Sequence, residues 1–502
     1  MTLTQDSGRQ MGTAARGLID GPTCWINGVW EDGDSGQLLK SVNPSTTELI
    51  RDVPVGSVAQ AERAVQAARR AFDDGPWSRV KPRERAHLLL ELADLMERNA
   101  EDLIEVIVTE VGSPVALSRA LQVGMPITNI RWAAEMALKG PQGGYEESLP
   151  PHMGPPASSS LLQRVPVGVV AGITGYNFPI NSVVWKLGPG IAAGCTLVFK
   201  PSPRTPLSTM ALMRLVEQVG FPSGVVNFVT GETEVGELLS SHEAVDLVMF
   251  TGSLAVGRQV MQSAAQTTKQ LVLELGGKSA TILLPGANIA ELTGPSVLRW
   301  VRNSGQGCGA TTRTLVPRAD YDEYAASAGD FIAGLSVGSP FDESTDIGPL
   351  IRPEQRDFVE GHVAKAVERG AALLVGGGRP AGLDGYFMNP ALIGNVDNSD
   401  AICQEELFGP VGALLPYDNV EQAISIAHDS PYGLHAAVYG PPTEAFDVAR
   451  RLRTGAVSIN GGGAMRPEGP WGGFKLSGFG REMGDDGFRE FFQVKHLQWP
   501  IR

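Results

Sequence analysis

The sequence predicts an α/β protein built on a parallel β-sheet with helices on both faces, followed by a second α/β unit. Three observations carry this reading. Short apolar runs alternate with helical segments from residue 165 to 275. The alternation starts again at about 276 and continues to about 465. Glycine is in excess, at 61 of 502 residues, or about 12% against a usual value of about 7%. The glycines are too dispersed for a collagen repeat or a linker, so many backbone positions need a positive φ or close approach to a ligand.

Taken in order, the start MTLTQDSGRQMGTAARGLIDG has no apolar stretch and reads as a polar tail, not a secretory signal. A helix is predicted over 57–75, with Ser57 as N-cap, Val58, Ala61, Val65, Ala68 and Phe72 on one face, and Gly75 as the stop. A second follows Pro82, carrying Leu88, Leu89, Leu92, Leu95 and Met96. Residues 141–160 hold five prolines and little periodicity, and read as an extended arm. Strands are then predicted at 165–174, 196–200, 225–229, 247–250 and 270–275, giving a parallel sheet of about five. Helices at 179–193 and 206–219 begin with proline, which suits the first helical position. Beyond 276 come a strand at 280–285, a helix near 288–303 and a strand at 312–317. The end, FREFFQVKHLQWP, alternates enough to be a strand with no domain of its own.

Composition excludes several classes. Lys+Arg 41 against Asp+Glu 55 gives a net charge of −14, which argues against a nucleic-acid or anionic-membrane partner. No apolar run reaches the roughly 18 residues of a membrane span. Four scattered cysteines (Cys24, Cys195, Cys308, Cys403) make no CxxC pair and no disulfide framework, so a reducing, cytoplasmic setting and no metal site are expected.

Seven segments carry candidate chemistry. FTGSLAVG at 250–257 places Gly252, Ser253 and Gly257 where a strand turns into a helix, a place for a pyrophosphate; alone it also fits an ordinary tight turn. LELGGKS puts Glu274 at a strand exit, and NSGQGCGA sets Cys308 among glycines where a substrate can come close. A single such Cys is otherwise a small buried hydrophobe, and a single such Glu a helix cap. TGYNFPINSVVWKLGPG offers Asn177 as an amide donor or as a cap, and KPSPRTP ends a strand on Lys200. EELFGPV (405–411) and GPWGGFKLSGFGREMG (469–484) complete the set.

Together and in this order, the motifs NFP, KPS-x-x-TP, FTGS-x-x-VG, ELGGKS, GQ-x-C, E-x-FGP and GGFK-x-SG-x-GRE resemble the aldehyde dehydrogenase superfamily over nearly the whole chain. The resemblance implies that Cys308 is the nucleophile, Asn177 an oxyanion donor, Glu274 the general base for thioester hydrolysis and Lys186 a proton relay, with its acid partner at Asp485. It implies NAD or NADP as cofactor, bound by Thr174, Lys200, Gly252, Ser253, Gly257, Glu406 and Phe408. A Glu is frequent in the family where this chain has Pro203, which removes a ribose ligand and its repulsion of a 2′-phosphate; Arg204 is adjacent. The implied substrate wall is Met125, Phe178, Asn181, Ser182, Trp185, Met465 and Trp471, with Gly307 and Gly309 widening the space on either side of Cys308. This set holds no Arg or Lys for a substrate carboxylate, so a bulky apolar or aromatic aldehyde is expected. The implied architecture is a Rossmann-like cofactor domain (1–139 and 161–275), a catalytic domain (276–466), a return to the first (467–485), and an oligomerisation arm (140–160 and 486–502) making a homodimer or homotetramer. A CoA-acylating relative and a catalytically silent homologue are the alternatives; the first usually lacks the base at Glu274.

Overall fold

The computed structural model describes residues 11–462 and 465–501. The polar tail expected at 1–10 lies outside the described residues. The five predicted strands form a continuous parallel core in the order Val226–Phe228, Thr196–Lys200, Val169–Ile173, Leu247–Thr251, Gln270–Glu274. Val169–Ile173 is first in the chain and has later strands on both sides, so chain order reverses there. A ligand crevice opens at such a switch point, outside the carboxyl ends of the strands. Thr174, Lys200, Gly252 and Glu274 all stand at those ends.

The sheet has eight strands, not about five. The hairpin Cys24–Ile26/Val29–Glu31 adds antiparallel at one edge, through Trp25 opposite Phe228. Gly478–Phe479 adds antiparallel at the other, opposite Leu273 and Glu274. Strands of two or three residues are too short to show a period of two, which is why the sequence pattern missed them.

Helices cover both faces. Val58–Asp73 begins at Ser57, whose side chain caps Gln60 N in a reciprocal capping box, and it packs with Thr233–Ser241 and Leu254–Ala264 on one face. Pro82–Arg98, Met125–Lys139, Pro179–Ala193 and Pro206–Val219 bury the other. The last of these starts over the buried Glu110, whose carboxylate accepts from Leu207 N and Ser208 N at 2.8 and 2.7 Å.

A second sheet of seven strands runs Ala372–Gly376, Ala391–Gly394, Val411–Tyr417, Arg313–Pro317, Ala280–Leu283, His435–Tyr439, Ala456–Ile459, and only the first strand is antiparallel. The proline-rich arm and the C-terminal strand meet in a third, antiparallel sheet: Phe492–Pro500 pairs with Ser158–Pro166, which pairs with Glu146–His152. The arm strand therefore continues past 160 to Pro166, while residues 484–489 are helical and not part of the arm sheet. No described helix is long and apolar enough to cross a membrane.

Candidate active site

Cys308 follows a turn whose backbone is under constraint. Asn303 and Ser304 both take left-handed φ, 52° and 57°, which non-glycine residues rarely adopt. Ser304 Oγ donates to Gly348 O at 2.8 Å, and Asn303 Nδ2 donates to Asn177 O at 3.2 Å, which holds the turn. A side chain at Gly305 would overlap the backbone of Gly409, so the GQ-x-C and E-x-FGP motifs touch here. Asn177 Nδ2 donates to Gln306 O at 2.8 Å, which fixes its amide beside the nucleophile loop and leaves it a second N–H. Cys308 is half-buried, and burial, then the nearby Glu274 and Glu406 carboxylates, push its thiol up to about 12.

Lys186 is fully buried: its ammonium is ion-paired with Glu482 Oε1 2.7 Å away, and it donates to Thr251 Oγ1 at 2.8 Å and Ser182 O at 2.9 Å. The expected acid partner, Asp485, is elsewhere: it pairs with Arg489 at 2.7 Å and accepts from Gln142 N at 2.6 Å. Asp485 opens the helix Gly484–Arg489, whereas Glu482 sits before it in extended backbone that turns toward Lys186. Glu482 was within the quoted GRE motif, so the signal was present.

Glu274 is only 4% exposed, and neither carboxylate oxygen has a hydrogen-bond partner among the described residues. Burial and repulsion from Glu482 hold its carboxyl well above the usual range, against the pull of Lys186 and Arg481. A Cβ at Gly472 would lie 2.8 Å from Glu274 Oε1, so that glycine makes room for the acid.

The residues expected to hold a cofactor stand at the carboxyl ends of the parallel strands and in segments that meet them. Glu406 Oε1 accepts from Gly277 N at 2.9 Å, and a Cβ on Gly276 would overlap its carboxylate, which explains the glycine pair in LELGGKS. Burial raises the Glu406 carboxyl to about 7. Phe408 meets Tyr176 edge-on at 5.8 Å. Ser253 caps the helix Leu254–Ala264, and a Cβ on Gly257 would lie 2.6 Å from Leu275, so the helix packs tightly on the strand. Lys200 is buried, donates to Pro201 O at 3.1 Å, and is lowered to about 8 by burial against the opposing pull of Glu232. Thr174 is buried with its hydroxyl unpartnered. A crevice edge carrying backbone glycines, a helix start and an unmet hydroxyl fits a dinucleotide.

Met125 opens a helix directly after the π-helical turn Ser118–Gly124, Phe178 is the residue before the helix Pro179–Ala193, and Trp185 lies within that helix. Met465 and Trp471 are half-buried in the glycine-rich loop. Asn181 and Ser182 are structural ties: Asn181 Nδ2 donates to Leu121 O at 2.7 Å, and Ser182 Oγ accepts from Gly175 N at 3.2 Å. The glycines beside Cys308 are unequal. Gly307 faces open space, but a Cβ on Gly309 would lie 2.8 Å from Trp471 Cη2, so the indole fills the space expected to be free. His435, not singled out in the sequence, stands behind them. Its Nδ1 lies 3.0 Å from Gly309 O and its Nε2 3.1 Å from Ser458 Oγ, and its ring is 5.8 Å from Trp471.

The profile of the aldehyde dehydrogenase family matches residues 30–497. An aldehyde dehydrogenase of Mycobacterium tuberculosis, solved with NAD+, is 39% identical, with 95% of this chain and 98% of that one covered and a TM-score of 0.91. Aldehyde dehydrogenase C of Pseudomonas syringae, a cysteine-to-alanine mutant solved with NAD+ and octanal, is 37% identical, covering 95% and 97% of the two chains with a TM-score of 0.90. Betaine aldehyde dehydrogenase of Staphylococcus aureus, solved with NAD+, is 35% identical, covering 97% and 96% with a TM-score of 0.92.

Proposed function

This chain belongs to the aldehyde dehydrogenase family, and we propose that it oxidises a bulky apolar or aromatic aldehyde to the carboxylic acid with NAD or NADP. The observation that carries the hydrolytic reading is Glu274: a buried carboxyl with both oxygens unmet, beside Cys308 and next to the buried Lys186–Glu482 ion pair.

The Cys308 thiol passes its proton to water, and its sulfur bonds to the aldehyde carbon, moving the carbonyl electrons onto oxygen. The free N–H of Asn177 and the Cys308 backbone N–H stabilise that oxyanion; removing one such donor typically costs about 10²–10³ in rate. When bound, NAD(P)+ supplies the oxidant, accepting hydride from the former carbonyl carbon. Cys308 then carries the acyl group as a thioester. Glu274 takes a proton from water, the hydroxide adds to the acyl carbon, and the C–S bond breaks to return the thiolate and release the acid. Lys186 and Glu482 raise no net charge beside the base, and they form the next station for its proton. Thr174, Lys200, Ser253 and Glu406 are the residues that would hold the cofactor. Phe178, Trp185 and Trp471 supply apolar walls without a cation, and the Pseudomonas syringae relative holds octanal, an apolar aldehyde.

Steady-state rates with NAD and NADP against aromatic, aliphatic and acidic aldehydes test the reading. Bulky apolar aldehydes should give the highest kcat/KM, Cys308→Ala should abolish turnover, and Glu274→Gln should keep a burst of reduced cofactor while slowing turnover by about 10²–10⁴. Highest kcat/KM for short or acidic semialdehydes would overturn the substrate class. Acyl-CoA as product in the presence of CoA would overturn the hydrolytic step.

A further inference from the structure

At the mouth of the cofactor cleft stand two arginines that none of the family motifs explains. Arg204 follows Pro203 in the turn after the strand Thr196–Lys200, and its guanidinium lies over the Tyr176 ring, 5.5 Å from the centroid. Arg352 is the residue before the helix Pro353–Glu368. Three contacts bring it to the same plate: Tyr176 Oη is 3.5 Å from Gln306 Oε1, the same oxygen accepts from Ile351 N at 3.0 Å, and Ile351 precedes Arg352. The opposite edge of Tyr176 meets Phe408, and Gln355 Nε2, one helical turn beyond Arg352, donates to Leu407 O at 2.7 Å. The arginines therefore border the same cleft as Glu406 and Phe408.

Neither guanidinium makes an ion pair among the described residues, whereas Arg63, Arg119, Arg131, Arg318, Arg379 and Arg451 each pair with an acid. Arg352 Nε is buried with no hydrogen-bond partner. After burial, Arg352 is the largest influence lowering the Arg204 guanidinium, ahead of the opposing Glu354 and Glu232. Two like charges near Tyr176, one of them over its ring, without an acid paired to either, suit an oxyanion that can take several N–H bonds at once.

We propose that Arg204 and Arg352 form a phosphate clamp at the cleft mouth that holds a phosphate of the dinucleotide cofactor. The proposal rests on the dinucleotide-dependent reading above and adds to it which side chains of this protein grip the anion. Pro203 contributes by leaving no carboxylate between Lys200 and Arg204 to neutralise or repel that phosphate.

Equilibrium binding of NAD, NADP, ADP and 2′,5′-ADP, followed by calorimetry at low and high salt, tests it on the full-length wild type, Arg204→Ala, Arg352→Ala and the charge-keeping Arg204→Lys. Each alanine variant should weaken binding roughly tenfold and flatten the salt dependence, with Arg204→Lys recovering part of the loss. Circular dichroism and thermal melts of the same samples confirm that the half-exposed sites have not unfolded the chain. A loss confined to NADP and 2′,5′-ADP locates the clamp on the 2′-phosphate. A loss for NAD, NADP and ADP that largely spares 2′,5′-ADP, which has no diphosphate, locates it on the diphosphate. Wild-type binding with variants unchanged within twofold overturns the clamp and leaves the cofactor reading standing. Failure of the wild type to bind any of the four overturns both.

Discussion

The two glycines beside Cys308 look alike in sequence and do opposite things. Gly307 faces open space, whereas Gly309 lies under the Trp471 ring, with His435 braced behind it between Gly309 O and Ser458. A small residue next to a nucleophile can thus mark either room for substrate or room already taken by another side chain. Trp471 is held in its turn by a reciprocal backbone pair with Glu482, N to O at 2.7 and 2.8 Å. Glu482 is the acid that neutralises Lys186, so Trp471 and the buried charge pair share one short segment. The Gly309 side is a packed partition. The Gly307 side is a door.

The largest effect should follow from forcing a side chain into the partition. Gly309→Val places methyl groups where the indole sits 2.8 Å from the Cβ position, so either Trp471 or the Cys308 loop must move. A displacement of about 1 Å at a nucleophile can cost about 100-fold in rate, and a loss of that size in kcat/KM is expected for every aldehyde. Adding Trp471→Ala should recover much of it, because the coupled pair then has space. Equal loss in the single and double variants would show that the indole does not occupy the Gly309 side.

A smaller and more selective effect is expected at the door. A Cβ at Gly307 meets nothing within 4 Å, so Gly307→Leu should keep stability while narrowing the space beside Cys308. Bulky aldehydes should lose about tenfold in kcat/KM, in the range that one or two methylenes are worth in an apolar pocket, and short ones should lose little. A uniform loss across aldehyde sizes would instead make Gly307 a requirement of the loop itself.

Much of this was legible in the sequence because local signals dominate it. The helices Pro179–Ala193 and Pro206–Val219 begin on proline and stop on Gly194 and Gly220, both in left-handed conformation, so their limits could be read directly. The five strands of the parallel core show as apolar runs because both faces are covered. What escaped depends on contacts between distant segments. Glu482 stands three residues before the acid that was expected, and only the bridge to Trp471 turns it toward Lys186. The filling of the Gly309 space by Trp471, 162 positions later, has no local signature at all. His435 sits in the strand His435–Tyr439, where a polar residue carries no motif until its two partners are known.

His435 offers the smallest and most specific test of the partition. Burial, and then the positive Arg299, lower its imidazole to about 4, while its bond to Gly309 O works the other way. The ring is therefore neutral through the working pH range and holds Gly309 by a neutral hydrogen bond. In the unfolded chain the imidazole titrates near 6.5. As pH falls below that value the unfolded state takes up a proton that the native state refuses, so native stability declines on acidification. The decline should reach about 2 kcal/mol by pH 5 if the native imidazole stays neutral to about 4. His435→Gln keeps an amide donor for Gly309 O but cannot titrate. Its melting temperature should fall less than that of the wild type between pH 7 and pH 5, with the two curves differing little above pH 7. The buried Glu110 and Glu406 carboxyls, both raised to about 7, shift stability in the opposite sense over this window, but they are the same in both proteins and cancel in the difference. Parallel melting curves from pH 7 to pH 5 would mean that the native imidazole takes up its proton as the unfolded one does, near 6.5, and the partition would then be braced by a ring that charges within this window and not by a neutral bond.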